Sequence, residues 1–297
     1  MKGRWAAALL LILACAPACG SKAKKSSIPF AEPHTLHGAY ELLSLVPQGA
    51  ERVIEVDLRR LRDNESVGPL LQAWGGRADL RAMGDLGFNP LLQADLLVLA
   101  TYAAAEKDTT LVIARGQAMR ASQIAAARPD AAALDDTTVV YGPESYRERI
   151  VALSRGQGES VLGEKSFVRL RDESIPKGAP GASLRGTARF GFGRRVQLAG
   201  ELGIDEMPGT ASVWGDVADD VAVLGLFAAS SDASAQRLAQ AIERLFQREF
   251  NAYVPGAAFE ARARGSVVRV VFHLGPNALA RIKGLAAEPP PEGAPAP

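Results

Sequence analysis

Beyond residue 19 the sequence contains no cysteine, because the two cysteines of the chain are Cys15 and Cys19. A disulfide needs two thiols, so no internal disulfide can stabilise the body of the protein. The same absence excludes a cysteine nucleophile there. Stability must therefore come from packing, hydrogen bonds and ion pairs.

Charge imbalance and long apolar segments are absent as well. The net charge is +1, which argues against a nucleic-acid partner because such a partner needs a basic face. Beyond the amino-terminal region no apolar run reaches 18 residues, so that part of the sequence offers no candidate transmembrane helix. A hydrophobic content of 47% with 23% charged residues is typical of a globular protein.

The amino-terminal segment has the pattern of an export signal. Met1–Arg4 is basic, and the apolar run Trp5–Ala14 is too short to span a hydrocarbon layer of about 30 Å. The segment Ile12–Cys15 (ILAC) resembles the lipobox of bacterial lipoproteins, in which the cysteine thiol receives a diacylglycerol group. These features predict an exported protein that carries a lipid.

Lipidation is predicted at Cys15, with Cys19 as the second choice, and it would anchor the protein to a membrane of the cell envelope, facing the periplasm. The cysteine is followed by Ala16 or Gly20 and not by Asp, which by the sorting rule of similar lipoproteins favours the outer membrane over the inner. The alternative is cleavage after Ala18, which gives a soluble secreted protein.

Composition divides the sequence into six segments. Gly20–Pro33 is polar and contains proline, as a flexible tether does, and Glu288–Pro297 has too much proline for a helix or a strand. The predicted segments are a signal peptide (1–18), a tether (19–43), a first α+β unit (44–143), a helical connector (144–181), a second α+β unit (182–287) and a disordered tail (288–297).

The first unit shows the element order β-α-β-β-α-β. Apolar and acidic residues alternate from Glu51 to Leu58, which predicts a strand with Glu55 and Asp57 on a solvent-exposed face. The predicted elements are strands at 51–58 and 137–141, a hairpin of strands at 95–102 and 109–115, and helices that start near Ser66–Pro69 and near Met119. This order is the split βαβ pattern of a ferredoxin-like unit.

The second unit repeats the order with clearer signals. The predicted elements are strands at 184–192, 211–217, 221–229, 259–264 and 267–274, and helices at 194–202 and around 235–246. The second helix has Ser231 or Asp232 as its cap, and Gly265-Ser266 predicts a tight hairpin that sets Arg262 opposite Arg269. We therefore predict two tandem ferredoxin-like units with antiparallel sheets and helices on one face, the second extended by a hairpin strand and a terminal helix.

A short segment repeats at the same place in both units. Gly84–Asn89 (GDLGFN) and Gly200–Asp205 (GELGID) share three identical residues. A glycine that ends a helix in a left-handed conformation, followed by a turn, explains these residues without a ligand. The repeat therefore indicates duplication of an α+β unit.

Four further segments carry a family resemblance. They are Val46–Leu58, with its proline-containing lead-in and Asp-Leu end, Leu86–Pro90 (LGFNP), Val139–Glu144 (VVYGPE) and Ser160–Phe167 (SVLGEKSF). The sequence resembles, over most of residues 44–275, uncharacterised bacterial envelope lipoproteins grouped under a domain of unknown function. The resemblance implies repeated α+β units outside the inner membrane, and it supplies no catalytic residues.

Candidate sites are few. His34 and His37 form an H-x-x-H pair, but the sequence adds only His273, so too few ligands are available for zinc. The doublets Asp135-Asp136 and Asp219-Asp220 could bind a cation, although aspartates at turns usually bond to their own backbone. No G-x-S-x-G or complete phosphate loop occurs. The sequence thus predicts no catalytic residue, no metal and no cofactor, and it identifies no ligand-binding residue.

These observations favour a non-enzymatic envelope lipoprotein that binds an envelope protein or a cell-wall partner. The alternative is a carrier or sensor for an apolar ligand, which would need a lined cavity of several hundred Å³. A hydrolase comes third, and it would require titratable groups that converge in a cleft.

Overall fold

The computed structural model of the chain describes residues 42–75, 88–103, 109–173, 175–176, 181–217, 220–249 and 257–287. Cys15, Cys19, the His34 and His37 pair and the first four residues of the repeat at Gly84 lie outside this part of the chain. The predictions made for them therefore stay predictions.

Ten strands form one antiparallel sheet that runs through both α+β units. The strands are β1 (Arg52–Asp57), β2 (Leu96–Tyr102), β3 (Thr109–Arg115), β4 (Ala131–Ala133), β5 (Thr138–Tyr141), β6 (Leu184–Arg189), β7 (Thr210–Val217), β8 (Val221–Ala228), β9 (Ala258–Arg264) and β10 (Val267–Leu274). Across the sheet their order is β4-β5-β3-β2-β1-β6-β7-β8-β10-β9. The expected α+β class is confirmed.

Helices connect these strands. They are α1 (Leu58–Asp63), α2 (Gly68–Gly75), α3 (Pro90–Gln93), α4 (Ala121–Ala127), α5 (Glu144–Ser154), α6 (Lys165–Glu173), α7 (Phe192–Leu202), α8 (Asp232–Glu249) and α9 (Pro276–Ala287), with a short 3-10 turn at Val161–Gly163. Local chemistry fixes several of their ends. The Ser231 hydroxyl accepts a hydrogen bond from the Ser234 amide at the start of α8, and Gly203 ends α7 in the left-handed conformation at φ 65°.

The two halves of the sheet have the same strand order. From β1 outward the first half runs β2, β3, β5, β4, and from β6 outward the second half runs β7, β8, β10, β9. The halves meet where β1 and β6 pair antiparallel, with Val56 opposite Leu184 and Arg52 opposite Ala188. We call this contact the joint.

The prediction of tandem ferredoxin-like units is not confirmed. In a split βαβ unit the strands on either side of a helix run parallel with another strand between them. Here α1, α2 and α3 separate β1 from β2, yet the two strands are antiparallel neighbours. The final hairpin is not special to the second half either, because β4 and β5 form its counterpart in the first. Each half is therefore a β-α-β-β-α-β-β unit.

The helices lie on both faces of the sheet, which corrects the prediction of one helical face. On the first face α1, α3, α4, α7 and α8 pack over a core that runs through both halves and includes Val56, Val139, Val213 and Phe272. On the opposite face, residues 42–46 and the connector from α5 to α6 cover the first half. Their buried side chains Ile150 and Phe167 belong to the same core as Val53 of β1. We call this second face the connector face.

Candidate functional site

Buried and half-buried charged residues gather at the joint on the connector face. We call them the joint cluster, which comprises Glu55, Arg60, Glu164, Arg171, Arg185, Arg189 and Asp216. The prediction that Glu55 and Asp57 face solvent was wrong, since each is 4% exposed. Strand β6 pairs alongside β1, and α6 supplies a side chain that binds Glu55.

Glu55 and Arg171 form a buried bidentate ion pair between β1 and α6. The Arg171 Nε atom donates to Glu55 Oε1 at 2.7 Å, and Nη2 donates to Oε2 at 2.8 Å. Burial alone would lower the pKa of Arg171, but the hydrogen bonds and charge of Glu55 outweigh it and raise that pKa. The pair holds the connector against β1, a central strand of the ten-stranded sheet.

A second bidentate pair crosses the joint. Arg60 in α1 donates from Nε to Asp216 Oδ1 and from Nη2 to Asp216 Oδ2, both at 2.7 Å. Asp57 caps α1 by accepting from the Arg60 amide at 2.8 Å, which sets the start of the helix that carries this arginine. Ser183 adds a hydroxyl hydrogen bond to Asp216 at 2.8 Å. Both oxygens of the Asp216 carboxylate are therefore occupied.

A third ion pair ties the connector to β6. The Arg189 guanidinium donates to Glu164 Oε2, and the Gly49 amide donates to Glu164 Oε1 at 2.7 Å. Arg189 also donates to the Ala50 carbonyl at 2.7 Å. Burial would raise the pKa of Glu164, but the hydrogen bonds from Arg189 and Gly49 and the charge of Arg189 lower that pKa below 4.5.

Arg185 is the exception within the joint cluster. It lies in β6 directly opposite Glu55, but both oxygens of Glu55 accept from Arg171. Its side chain is 6% exposed, and its Nε atom has no hydrogen-bond partner among the described residues. Burial, and next the positive charge of Arg171, lower the pKa of Arg185. A second buried arginine thus lies beside a carboxylate that is already paired.

Next to the joint, the connector face of the second half is covered differently. Helix α6 contacts β6 and β7, while α8 packs on β9 and β10 from the other side of the sheet, where Phe246 stacks on Phe259. The face beyond the joint, which we call the open face, carries Trp214, Leu224, Leu226, Val267 and Val271 together with Arg262, Arg269 and His273. Its apolar centre is the small cluster of Trp214, Leu224 and Val271.

The open face also contains residues that the sequence singled out. Arg262 lies opposite Arg269, as the hairpin register predicted. His273 is 37% exposed, and its Nε2 atom lies 2.6 Å from Asp220 Oδ2. In the doublet Asp135-Asp136, the Asp135 carboxylate accepts hydrogen bonds from the Thr137 amide at 2.7 Å and from the Thr137 hydroxyl at 2.8 Å. That carboxylate has the turn role expected for it.

Two negative findings apply to the described part of the chain. There, no helix is long and apolar enough to cross a bilayer. The same residues include no group of three or more His, Cys, Asp or Glu side chains placed to hold a metal ion.

A surface depression along α8 is lined by Gln240, Glu243, Arg244, Gln247 and Arg248.

The joint cluster could not be recognised as a cluster in the sequence, because its members are up to 161 residues apart, from Glu55 to Asp216. One local signal was present. Val53 shares a face with Glu55 and Asp57 in the period-2 pattern, and an apolar residue there argues against a fully exposed face. That signal indicates burial but identifies no partner for the two carboxylates.

No protein-family model matches the chain, and a comparison with curated proteins finds no match. Among solved structures, three crystal forms of TP0453 are similar at 10% sequence identity. Form I covers 83% of this chain and 97% of its own (TM-score 0.43), form III covers 83% and 98% (0.45), and form IV covers 84% and 100% (0.41). At this level of similarity the three structures carry no argument about function.

Proposed function

We propose that the chain is a lipid-anchored protein of the bacterial cell envelope whose folded body binds a partner without catalysing a reaction. The observation that carries this proposal is the open face. The same side of the sheet is covered by the connector in the first half. Beyond the joint, the outer strands of the second half present Val267, which is 40% exposed, together with Arg262 and Arg269, beside an apolar centre of Trp214, Leu224 and Val271 that is 4 to 9% exposed. Arginines around an apolar centre are typical of protein interfaces.

The charged residues of the joint support a non-catalytic role. A general acid or base must be within reach of a substrate proton. The carboxylates of Glu55 and Asp216 instead have both oxygens bound to arginine, and their side chains are 4% and 10% exposed. We infer that these groups hold the two halves together and that no proton transfer to a substrate uses them.

The carrier alternative gains no support from the described residues. A site for an apolar ligand is lined mostly by hydrophobic and aromatic side chains. The depression along α8 is lined by polar and charged side chains, from Gln240 to Arg248. The envelope-binding proposal therefore ranks first.

The anchor is tested by labelling cells with a palmitate analogue. Wild-type protein should take the label and fractionate with membranes. Cys15→Ala should abolish both, and Cys19→Ala serves as its matched control. Loss of label in Cys19→Ala alone would move the anchor to that residue. A wild-type chain that takes no label would contradict the lipid-anchor proposal.

Partner binding is tested by site-specific photo-crosslinking in living cells. A photoreactive amino acid at Val267, on the open face, should give a discrete crosslinked species. The control places the same group at Gln236, an exposed position of α8 on the other side of the sheet. Crosslinks of equal yield at both positions, or none at Val267, would contradict a partner on the open face.

A further inference from the structure

Three unpartnered polar groups lie together on the connector face of β6 and β7. They are Arg185 Nε, Thr187 Oγ1 and Ser212 Oγ, and none has a hydrogen-bond partner among the described residues. Arg185 and Thr187 are two residues apart and so share a face of β6, and Thr187 is the register partner of Ser212. The three side chains are 6%, 4% and 1% exposed.

Unsatisfied buried groups of this kind are uncommon, because a buried donor without a partner loses its hydrogen bonds to water. One such group could be a chance feature of packing. Three on neighbouring positions of two paired strands form a set of donors on one face of the sheet. All three can donate: a guanidinium always donates, and hydroxyl hydrogens rotate toward an acceptor.

The charges around Arg185 indicate that its missing partner is an anion. Arg171 and Arg185 are both buried beside Glu55, and Arg171 takes both oxygens of that carboxylate. Elsewhere in the joint cluster Arg60 and Arg189 each have a carboxylate of their own. The charges of Glu55 and Asp172 attract Arg185, but burial and Arg171 outweigh them, and no carboxylate of the described residues forms an ion pair with Arg185. Buried charges are normally paired, so we infer that an anion from outside the described residues pairs with Arg185.

We propose that Arg185, Thr187 and Ser212 bind a small oxyanion, the carboxylate or phosphate group of a ligand. The guanidinium of Arg185 donates to its oxygens and offsets its charge, and the two hydroxyls donate from the same face. Oxyanions suit this set because arginine binds carboxylate and phosphate through parallel N–H···O bonds. The site goes beyond the partner proposed for the open face, and neither depends on the other.

The test measures the melting temperature of the full chain, purified in non-ionic detergent, at constant ionic strength. Sodium chloride is replaced stepwise by inorganic phosphate in one series and by acetate in another. At an anion concentration about 100 times the dissociation constant, the melting temperature should rise by about 5 to 10 °C. A rise with phosphate alone assigns the site to phosphate groups, and a rise with acetate assigns it to carboxylates.

The variant Arg185→Met separates a binding role from a structural one. Methionine fills the space without a charge, so the melting temperature in chloride should stay level or increase, while the oxyanion-dependent rise is lost. The control Arg269→Met removes an exposed arginine and should keep the rise. Phosphate also stabilises proteins generally by exclusion from their surface. A rise that persists in Arg185→Met would therefore overturn the proposal, as would no rise in wild type.

A second variant covers the case in which Arg185→Met does not fold. Thr187→Val with Ser212→Ala removes the two hydroxyls and keeps the arginine. The oxyanion dependence should then shift to at least about 100-fold higher concentration, as expected for the loss of two hydrogen bonds to a charged group. An unchanged concentration dependence would overturn the role given to the hydroxyls. Lipid labelling and open-face crosslinking do not involve these residues, so their outcomes remain separate.

Discussion

The two halves of the sheet share a strand order but not a covering. In the first half, helices lie on one face and the connector lies on the other, so strands such as β3 are buried on both sides. In the second half, helices α7 and α8 cover one face, and the connector reaches the other mainly at β6 and β7. One connector joins the halves; it covers the first half and, in the second half, reaches β6 and β7. Among the described residues, the outer strands of the second half therefore present exposed side chains such as Val267 and Arg269 where the first half is covered.

The sheet edges differ in the same way. Strand β4 ends the first half with three residues, Ala131–Ala133. Strand β9 ends the second half with seven residues and carries Glu260, Arg262 and Arg264. Short edges and charged edges both discourage pairing with another chain. The edge of the second half is therefore protected from such pairing by its charges, and the edge of the first half by its short length and its covering.

The largest expected effect comes from breaking the joint. Glu55→Leu leaves Arg171 buried without its partner and removes the carboxylate opposite Arg185, which should lower the free energy of unfolding by about 3 to 5 kcal/mol, measured by urea denaturation. The double variant Glu55→Leu with Arg171→Met also removes the unpaired Arg171 charge and should recover part of the loss. A loss below about 1 kcal/mol in the single variant would show that the pair is not buried as described.

A matched pair of leucines compares the two coverings directly. Leu111 in β3 is 0% exposed under the connector, and Leu224 in β8 is 8% exposed on the open face. Leu111→Ala should cost about 4 kcal/mol and Leu224→Ala about 2 to 3 kcal/mol, because less cavity remains where solvent or side chains can fill it. Thermal or urea unfolding measures both. Equal losses would contradict the difference in covering.

Acid pH should loosen the connector. The pKa of Glu164 is lowered below 4.5 in the folded protein, so its pair with Arg189 contributes stability above pH 4.5 and loses it as the pH falls through the lowered value. Glu164→Gln should cost about 1.5 kcal/mol at neutral pH. The difference between wild type and variant should shrink in acid, as followed by urea unfolding at a series of pH values. A constant difference would exclude this role for the carboxylate.

The smallest expected effect lies on the open face. Arg269 faces Arg262 across β9 and β10, and like charges directly opposite destabilise a strand pair. Arg269→Glu should stabilise the protein by about 0.5 to 1 kcal/mol, and Arg269→Gln, which only removes the repulsion, should give less. A loss of stability in Arg269→Glu would mean that the arginine makes a contact within the fold.

Local patterns explain which parts of the fold were predictable. The hairpin at Gly265-Ser266 and its register were predicted because a two-residue turn fixes the pairing of the strands beside it. Helix α8 was predicted from its apolar stripe and the cap at Ser231. Each of these signals lies within about 20 residues of sequence.

The joint was not predictable because its contacts are not local. Nothing in the pattern of β1 or β6 says that the two strands pair, and this pairing is what buries Glu55. Arg171 and Arg185 likewise read as ordinary charges on a helix and a strand until the fold places them beside the same carboxylate. Strand β4 was not predicted from the sequence, for a different reason. Its three alanines have low strand propensity, and they depend on pairing with β5 for their conformation.

Hydrogen exchange of the backbone amides in β1 and β6 tests the joint most directly. As central strands of one sheet, Arg52–Asp57 and Leu184–Arg189 should be among the slowest segments to exchange, at rates set by global unfolding, and edge strand β9 should exchange faster. Rapid exchange in both β1 and β6 would mean that each is an edge of its own sheet, and the two halves would then be separate bodies.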